Sequence, residues 1–139
     1  MVDIIIGPDV FVNASVALGS APEHLVRRLL GPDAKVKTSD WILARTEAML
    51  SNIPEFKADA VRGQMDTIRQ FVDVVSVKDD HGPDAWTDAL VAAAKAASLD
   101  RVVTDHPDLA DKTEVDGIEF LSTEAWLVEQ TTPPPPPGA

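Results

Sequence analysis

Acidic side chains follow the predicted β-strands of this chain at the points where the strands end. Asp9 follows the first predicted strand, and Asp105 and His106 follow a later one. Asp88 lies one turn into a predicted helix. Ligands of open parallel sheets bind beyond the carboxyl ends of the strands, so we expect these side chains to converge. Converging carboxylates repel one another unless a cation lies between them, and Mg²⁺ and Mn²⁺ are hard ions that carboxylate oxygens hold. Such an ion activates water for phosphodiester hydrolysis.

Each of these residues also has an ordinary structural interpretation. Asp84 and Asp88 are four residues apart on one helix face. Asp84 can be the cap of this helix and Asp88 a solvated acid. Ser39 is a good N-cap for the helix that follows it. Thr104 can satisfy backbone groups at the end of its strand, and His106 can be a metal ligand, a general acid or base, or a plain loop residue. Spacing alone leaves the metal-site and the capping interpretations open.

Short apolar runs alternate with helical periodicity, which predicts an α/β fold. The expected architecture is a three-layer α/β/α sandwich with a mainly parallel central sheet. The most regular helical pattern is capped by Asp84 and carries small residues on one face. The predicted strands are Val2 to Ile6, Lys35 to Thr38, Val74 to Val77, Leu99 to Val103 and Ile118 to Leu121. The predicted helices are Val10 to Leu18, Ala21 to Leu30, Ser39 to Leu50, Lys57 to Val72, Ala85 to Ser98 and Thr123 to Val128.

The composition excludes several classes of function. The chain has 139 residues and no cysteine, so disulfides, thiolate metal sites and cysteine catalysis are excluded. The formal net charge of −11 argues against a basic groove that tracks nucleic acid, although a metal ion can still bridge carboxylates to a phosphate. No apolar run is long enough to span a membrane and no signal peptide opens the chain, so we expect a cytoplasmic protein without membrane contact.

The chain divides into a domain over residues 1–130 and a proline-rich tail over residues 131–139. Five of the eleven prolines form the run Pro133 to Pro137. Such a run favours an extended polyproline conformation outside the fold. The tail is either a passive terminus or a docking segment for a proline-binding module.

Three stretches, in a fixed order, carry a resemblance to a known family. Ile4 to Leu18 combines an apolar strand, the acid Asp9 and a helix. Asp88 to Ala94 is an aspartate followed by an alanine-rich apolar helix, and Arg101 to Leu109 is a strand ending in Val-Thr that leads to another acid. Over about residues 2 to 128, this order resembles the PIN domain family, which are metal-dependent ribonucleases typical of bacterial toxin–antitoxin systems.

The resemblance implies a function and a set of site residues. It implies a Mg²⁺- or Mn²⁺-dependent endoribonuclease with an antitoxin-like partner protein and a homodimeric state. The implied catalytic residues are Asp9, Asp88, Asp105 and His106, of which the three aspartates would hold the metal. The residues expected to support or disrupt this site are Ser39, Arg45, Asp84 and Thr104.

The chain departs from the family pattern at two positions of the implied site. Arg45 stands where the family usually has a glutamate, and Glu47 is about 200° around the helix from it and cannot substitute. After Val-Thr, Asp105 occupies the spacer position and His106 the acid position. Two interpretations therefore stay open: an active ribonuclease, and a degenerate interaction module in which the Arg45 guanidinium replaces the metal.

A third interpretation lies outside the family. Flavodoxin-like and receiver-type α/β domains also gather acids at strand ends. Against this, no lysine follows the last predicted strand, where Ser122, Thr123 and Glu124 stand, and no glycine-rich phosphate loop is present. Trp86, two residues before Asp88, either packs in the core or stacks a base.

Overall fold

A computed structural model describes residues 2–17, 19–29, 34–77, 81–82, 84–109 and 114–131. Strands and helices alternate as the sequence pattern predicts. The strands are β1 (Val2–Ile6), β2 (Ala34–Ser39), β3 (Val72–Val75), β4 (Arg101–Val103) and β5 (Glu119–Leu121). The helices are α1 (Pro8–Val16), α2 (Ala21–Leu29), α3 (Asp40–Ser51), α4 (Ala58–Phe71), α5 (Trp86–Ala96) and α6 (Thr123–Thr131).

The five strands form one sheet in the order β3-β2-β1-β4-β5, and all four strand pairs are parallel. Ile4 of β1 is opposite Val36 of β2, and Ile6 is opposite Val103 of β4. The chain moves outward from β1 to β3 and then crosses back to β4. Since such crossovers are right-handed, α5 lies on the opposite face from α1 to α4. The predicted three-layer sandwich with a parallel sheet is therefore confirmed.

The core lies between the central strands and the apolar faces of the helices. β1 is almost fully apolar because a parallel central strand is covered on both faces. The side chains at its centre are Ile5 and Ile6, which are completely buried. Leu25, Ile42 and Leu90 bring helices α2, α3 and α5 onto the sheet and are equally inaccessible. This packing fixes β1 and β4 side by side, and their carboxyl ends carry half of the predicted site residues, namely Asp9, Thr104, Asp105 and His106.

Two expectations from the sequence are corrected at helix ends. Asp84 does not cap α5: the helix begins at Trp86, and its N-cap is Ala85 without a side-chain hydrogen bond. A turn precedes the helix, in which the Ala85 N–H donates to the Gly82 carbonyl at 3.1 Å, and this turn leaves Asp84 outside the helix and exposed. α6 extends to Thr131, one residue past the predicted domain boundary, and residues 132–139 of the predicted tail lie outside the described residues.

α4 ends at Phe71 and β3 begins at the next residue, so this strand lies earlier than its predicted span of Val74 to Val77. Within the ranges given above, none of the helices has both the length and the apolar character needed to cross a bilayer.

Candidate functional site

Asp9 is the centre of a hydrogen-bonded group at the carboxyl ends of β1 and β4. It lies in the first turn of α1 and is only 8% exposed. The Thr104 hydroxyl donates to Asp9 Oδ1 at 2.7 Å, and the Asp105 backbone N–H donates to Oδ2 at 2.7 Å. Both carboxylate oxygens therefore accept hydrogen bonds from the loop after β4. These bonds connect parts of the chain that are 95 and 96 positions apart in sequence.

Gly7 leaves the space that this arrangement needs. Its backbone N–H donates to the Val103 carbonyl at 2.8 Å, which holds the start of α1 against β4. A Cβ atom at this position would lie 2.5 Å from Asp9 Oδ1 and 2.9 Å from Thr104 Oγ1. Gly7 is therefore required for close approach and not for an unusual backbone angle, since its φ is −71°.

Burial raises the pKa of Asp9 above its ordinary value of 3.8. The hydrogen bonds from Thr104 and from the Asp105 backbone act in the opposite direction because they stabilise the carboxylate, but the desolvation effect is the largest. The fold therefore uses the Asp9 carboxyl group as a hydrogen-bond acceptor, and burial disfavours its charged form.

Asp105 uses its carboxylate to hold the beginning of α6. The Thr123 backbone N–H donates to Asp105 Oδ1 at 2.9 Å, and the Thr123 hydroxyl donates to Oδ2 at 2.7 Å. A carboxylate at a helix N-terminus satisfies an unpaired N–H and interacts favourably with the helix dipole. Near the other end of α6, Arg101 pairs with Glu129. The helix is thus fixed to β4 at two places.

We expect Thr123→Val to destabilise the protein by about 1–2 kcal/mol, because it removes a buried hydroxyl donor from the Asp105 carboxylate without changing the side-chain volume much. Chemical unfolding measures the change. Thr123→Ser is the control, since it keeps the hydroxyl. A Thr123→Val variant as stable as the unmodified chain would show that the hydroxyl contributes nothing.

Asp88 and Asp84 do not join Asp9 and Asp105. Both are exposed, Asp88 in the first turn of α5 and Asp84 in the turn before it. Neither takes part in an ion pair with any residue in the described ranges. Ser39 acts as predicted: its Oγ accepts the Ile42 N–H at 3.2 Å and caps α3.

His106 is part of an aromatic row beside this group. Its ring lies 4.6 Å from that of Trp86, and Trp86 meets Trp41 edge to face at 5.7 Å. The His106 backbone N–H donates to Thr104 Oγ1, and its Nδ1 accepts the Asp108 N–H, both at 3.2 Å. A neutral His106 therefore carries its proton on Nε2. The row joins α3, α5 and the loop after β4.

Arg45 does not take the place of a metal ion. No carboxylate in the described residues, Asp9 and Asp88 included, lies within ion-pair distance of its guanidinium. Its Nε is buried and has no hydrogen-bond partner there. The side chain instead lines a cavity together with Trp41 and His81. The alternative in which the Arg45 guanidinium reaches into the acidic cluster is therefore contradicted, because the side chain has no carboxylate partner among the described residues and lines this cavity instead.

The residues at this edge of the sheet do not fit a divalent ion. Over the part of the chain that the structure describes, no three acidic or histidine side chains are placed to share one. Asp9 and Asp105 direct their oxygens at protein donors, and Asp88 is exposed. A hard cation needs several oxygens that converge on one point. The arrangement can hold the strand ends and α6 together, but the metal centre implied by the resemblance is not formed.

No family model and no curated protein matches the sequence. The fold, however, is similar to that of a chain in the crystal structure of VapBC2 from Rickettsia felis bound to a DNA fragment from their promoter. The TM-score is 0.63, the sequence identity is 12%, and the alignment covers 86% of this chain and 98% of that chain. Since the identity is so low, the similarity shows the fold alone. The predicted α/β fold with a mainly parallel sheet is confirmed, and membership of the PIN family stays a prediction.

Sequence reasoning missed three features of the site. The sequence predicts Thr123 in a helix but not as the partner of Asp105, although its position two residues after a strand that pairs with β4 is a usable signal. Trp41 was not connected with Trp86, because contacts between helices distant in sequence leave no local pattern. The cavities beside α3 also have no sequence signal, since they depend on how that helix packs.

Proposed function

We propose that this chain is a PIN-fold interaction module of toxin–antitoxin type, which binds a partner protein and does not cleave RNA through a divalent ion. One observation carries the proposal: both oxygens of Asp9 accept hydrogen bonds from the loop after β4, and both oxygens of Asp105 accept hydrogen bonds from Thr123. In this proposal the acidic residues at the sheet edge maintain the fold. This proposal differs from the alternative drawn from the sequence, in which the Arg45 guanidinium takes the place of the metal ion.

An antitoxin-like protein is the partner that the fold favours. The structure of similar fold contains VapBC2, a toxin–antitoxin complex, bound to a promoter DNA fragment. The net charge of −11 also suits a protein partner better than a phosphate backbone, which an acidic surface repels. We place the protein in the cytoplasm, as a homodimer when unbound, and we propose that residues 132–139 form a tail outside the domain.

The proposal is tested by an RNA cleavage assay with Mg²⁺ or Mn²⁺, comparing the unmodified chain with Asp9→Asn. Asp59→Asn is a matched control, because Asp59 also lies in the first turn of a helix but is exposed. We expect all three proteins to leave RNA intact while a control nuclease cleaves it. A ligand that binds only the folded state raises the Tm. Because we propose that no ion binds at this site, we also expect about 5 mM Mn²⁺ to raise the Tm by less than about 1 °C.

A metal-dependent cleavage that Asp59→Asn keeps and Asp9→Asn loses would overturn the proposal. The same holds for a rise in Tm with Mn²⁺ that depends on Asp9. Binding to an antitoxin-like protein needs a separate measurement, because a lack of RNA cleavage does not by itself demonstrate a protein partner.

The second candidate is the Mg²⁺- or Mn²⁺-dependent endoribonuclease. The observation in its favour is that Asp9 and Asp105 do come together at the carboxyl ends of neighbouring strands, with the Asp105 N–H bonded to the Asp9 carboxylate. In that case Asp9, Asp88 and Asp105 would have to leave their present partners or solvent to bind an ion. The cleavage assay distinguishes the two candidates directly.

A further inference from the structure

Two neighbouring cavities lie along α3, and neither is lined by Asp9, Thr104 or Asp105. One has a volume of about 310 Å³ and the other of about 240 Å³. They have Trp41, Ala44 and His81 in common, so they meet along this wall. Ser39 and Asp40 line only the larger cavity, and Arg45 lines only the smaller one. Together they have the size of a small-molecule site.

Arg45 lines one end of these cavities, and one of its guanidinium donors has no hydrogen-bond partner among the described residues. Its Nε is buried from solvent and meets no acceptor in the described part of the chain. A buried donor without an acceptor costs free energy, and a guanidinium binds phosphate and carboxylate groups through several N–H donors. An anion in the cavity would meet the part of the guanidinium that lines it.

The common wall provides a flat apolar surface. Trp41 is held in place by a hydrogen bond from its Nε1 to the Gly82 carbonyl at 2.9 Å and by its edge-to-face contact with Trp86. The Ala44 methyl group and the imidazole of His81 border the same space. Aromatic side chains that are fixed in this way stack bases without a preference for sequence.

The opposite end provides polar groups of another kind. The Asp40 carboxylate is exposed and accepts hydrogen bonds, and the Ser39 hydroxyl, whose oxygen accepts the Ile42 N–H, still has its own hydrogen to donate. A ligand that fits all three regions has hydroxyl or amino donors, an aromatic body and an anionic group.

We propose that these cavities bind a nucleoside monophosphate, with its phosphate at Arg45, its base against Trp41 and the N–H donors on the far edge of the base near Asp40. The proposal goes beyond the proposed function and does not depend on it, because it uses none of the acids at the ends of β1 and β4. The chain's charge favours a single nucleotide over an RNA strand. The net charge of −11 repels an RNA strand along the whole length of the strand. It repels a single nucleotide less, because charges more than about 8 Å from the nucleotide are screened at physiological salt.

The experiment is a calorimetric titration of the full chain with AMP, GMP, CMP and UMP, supported by tryptophan fluorescence. Further titrations use the matching nucleosides, inorganic phosphate and a short single-stranded RNA. The variants are Arg45→Gln, which removes the charge, and Arg45→Lys, which keeps it. Arg62→Gln is the matched control, since Arg62 is exposed on α4. Circular dichroism verifies that each variant is folded.

We expect at least one nucleoside monophosphate to bind. Arg45→Gln should weaken its binding about tenfold or more, since a hydrogen bond to a charged group is lost, and Arg45→Lys should weaken it less. The nucleoside should bind Arg45→Gln and the unmodified chain equally, and Arg62→Gln should behave like the unmodified chain.

Three results would each overturn the proposal. The first is an absence of binding to all four nucleotides up to about 1 mM. The second is unchanged nucleotide binding by a folded Arg45→Gln variant. The third is inorganic phosphate or the RNA strand binding more tightly than every mononucleotide, which would assign Arg45 to a free anion or to a strand instead. None of these results bears on RNA cleavage or on the partner protein, so a failure here is distinguishable from a failure of the proposed function.

Discussion

Gly7→Ala should destabilise this protein by about 2–4 kcal/mol, through a single added methyl group. The new Cβ would lie 2.5 Å from Asp9 Oδ1 and 2.9 Å from Thr104 Oγ1, which is closer than nonbonded atoms approach. Asp9 is a short, buried side chain held by two hydrogen bonds, so it has no open space to move into. To relieve the contact, either the hydrogen bond from Thr104 breaks or the start of α1 moves away from β4. Urea unfolding of the two proteins measures the difference.

Gly63→Ala is a control with the opposite expected sign. Gly63 lies in the middle of α4, and beyond its chain neighbours and the backbone of its own helix no atom is within 4 Å of the position where its Cβ would be. An alanine there should stabilise the protein by about 0.5–1 kcal/mol, because glycine loses more backbone freedom than alanine in a helix. If both alanine substitutions changed stability equally, the cost at Gly7 would not come from the contact with Asp9 and Thr104.

The fold could be predicted from the sequence because its signals are local. The β-branched run of β1, the Gly7-Pro8 break and the alanine-rich face of α5 each indicate an element within a few residues. Their alternation then leaves few topologies, since parallel strands require crossovers of one hand. Helix ends were less predictable, as Asp84 shows: an aspartate before a helix is a common cap, but here a turn between Gly82 and Ala85 places it outside.

The positions of the acids at the strand ends were predictable, but their partners were not. The sequence placed Asp9 and Asp105 at one edge of the sheet, and the structure brings them there. Whether a carboxylate faces a neighbouring acid or a hydroxyl depends on side-chain direction and on tertiary packing. Thr123 lies 18 positions from Asp105, and no periodic pattern relates the two. For the same reason Arg45, which aligns with an acid of the family, could be assigned to the acidic cluster when it in fact lines a cavity.

Removing the Asp9 carboxyl group should have the other large effect. We expect Asp9→Ala to destabilise the protein by about 2–3 kcal/mol at acidic pH, because it leaves the Thr104 hydroxyl and the Asp105 N–H without their acceptor. Asp9→Asn should cost less, since its amide oxygen can accept the Asp105 N–H and its amide nitrogen can donate to Thr104 Oγ1. Urea unfolding of the three proteins gives the free energies, and Asp59→Asn again controls for loss of an acid on an exposed helix turn.

The comparison between the unmodified chain and Asp9→Asn also has a defined dependence on pH. Since burial raises the pKa of Asp9 above 3.8, the folded protein holds this proton more tightly than the unfolded chain. The resulting stabilisation is complete below pH 3.8 and is lost as the pH rises through the folded pKa. The unmodified chain should therefore lose stability relative to Asp9→Asn as the pH rises above 3.8. Other acids titrate in both proteins, so the difference isolates position 9. A gain of the unmodified chain over Asp9→Asn as the pH rises would mean that the folded protein stabilises the charged carboxylate. That sign is the one expected if a cation lies beside Asp9, so the pH profile tests the metal-free interpretation of this site without any assay of RNA.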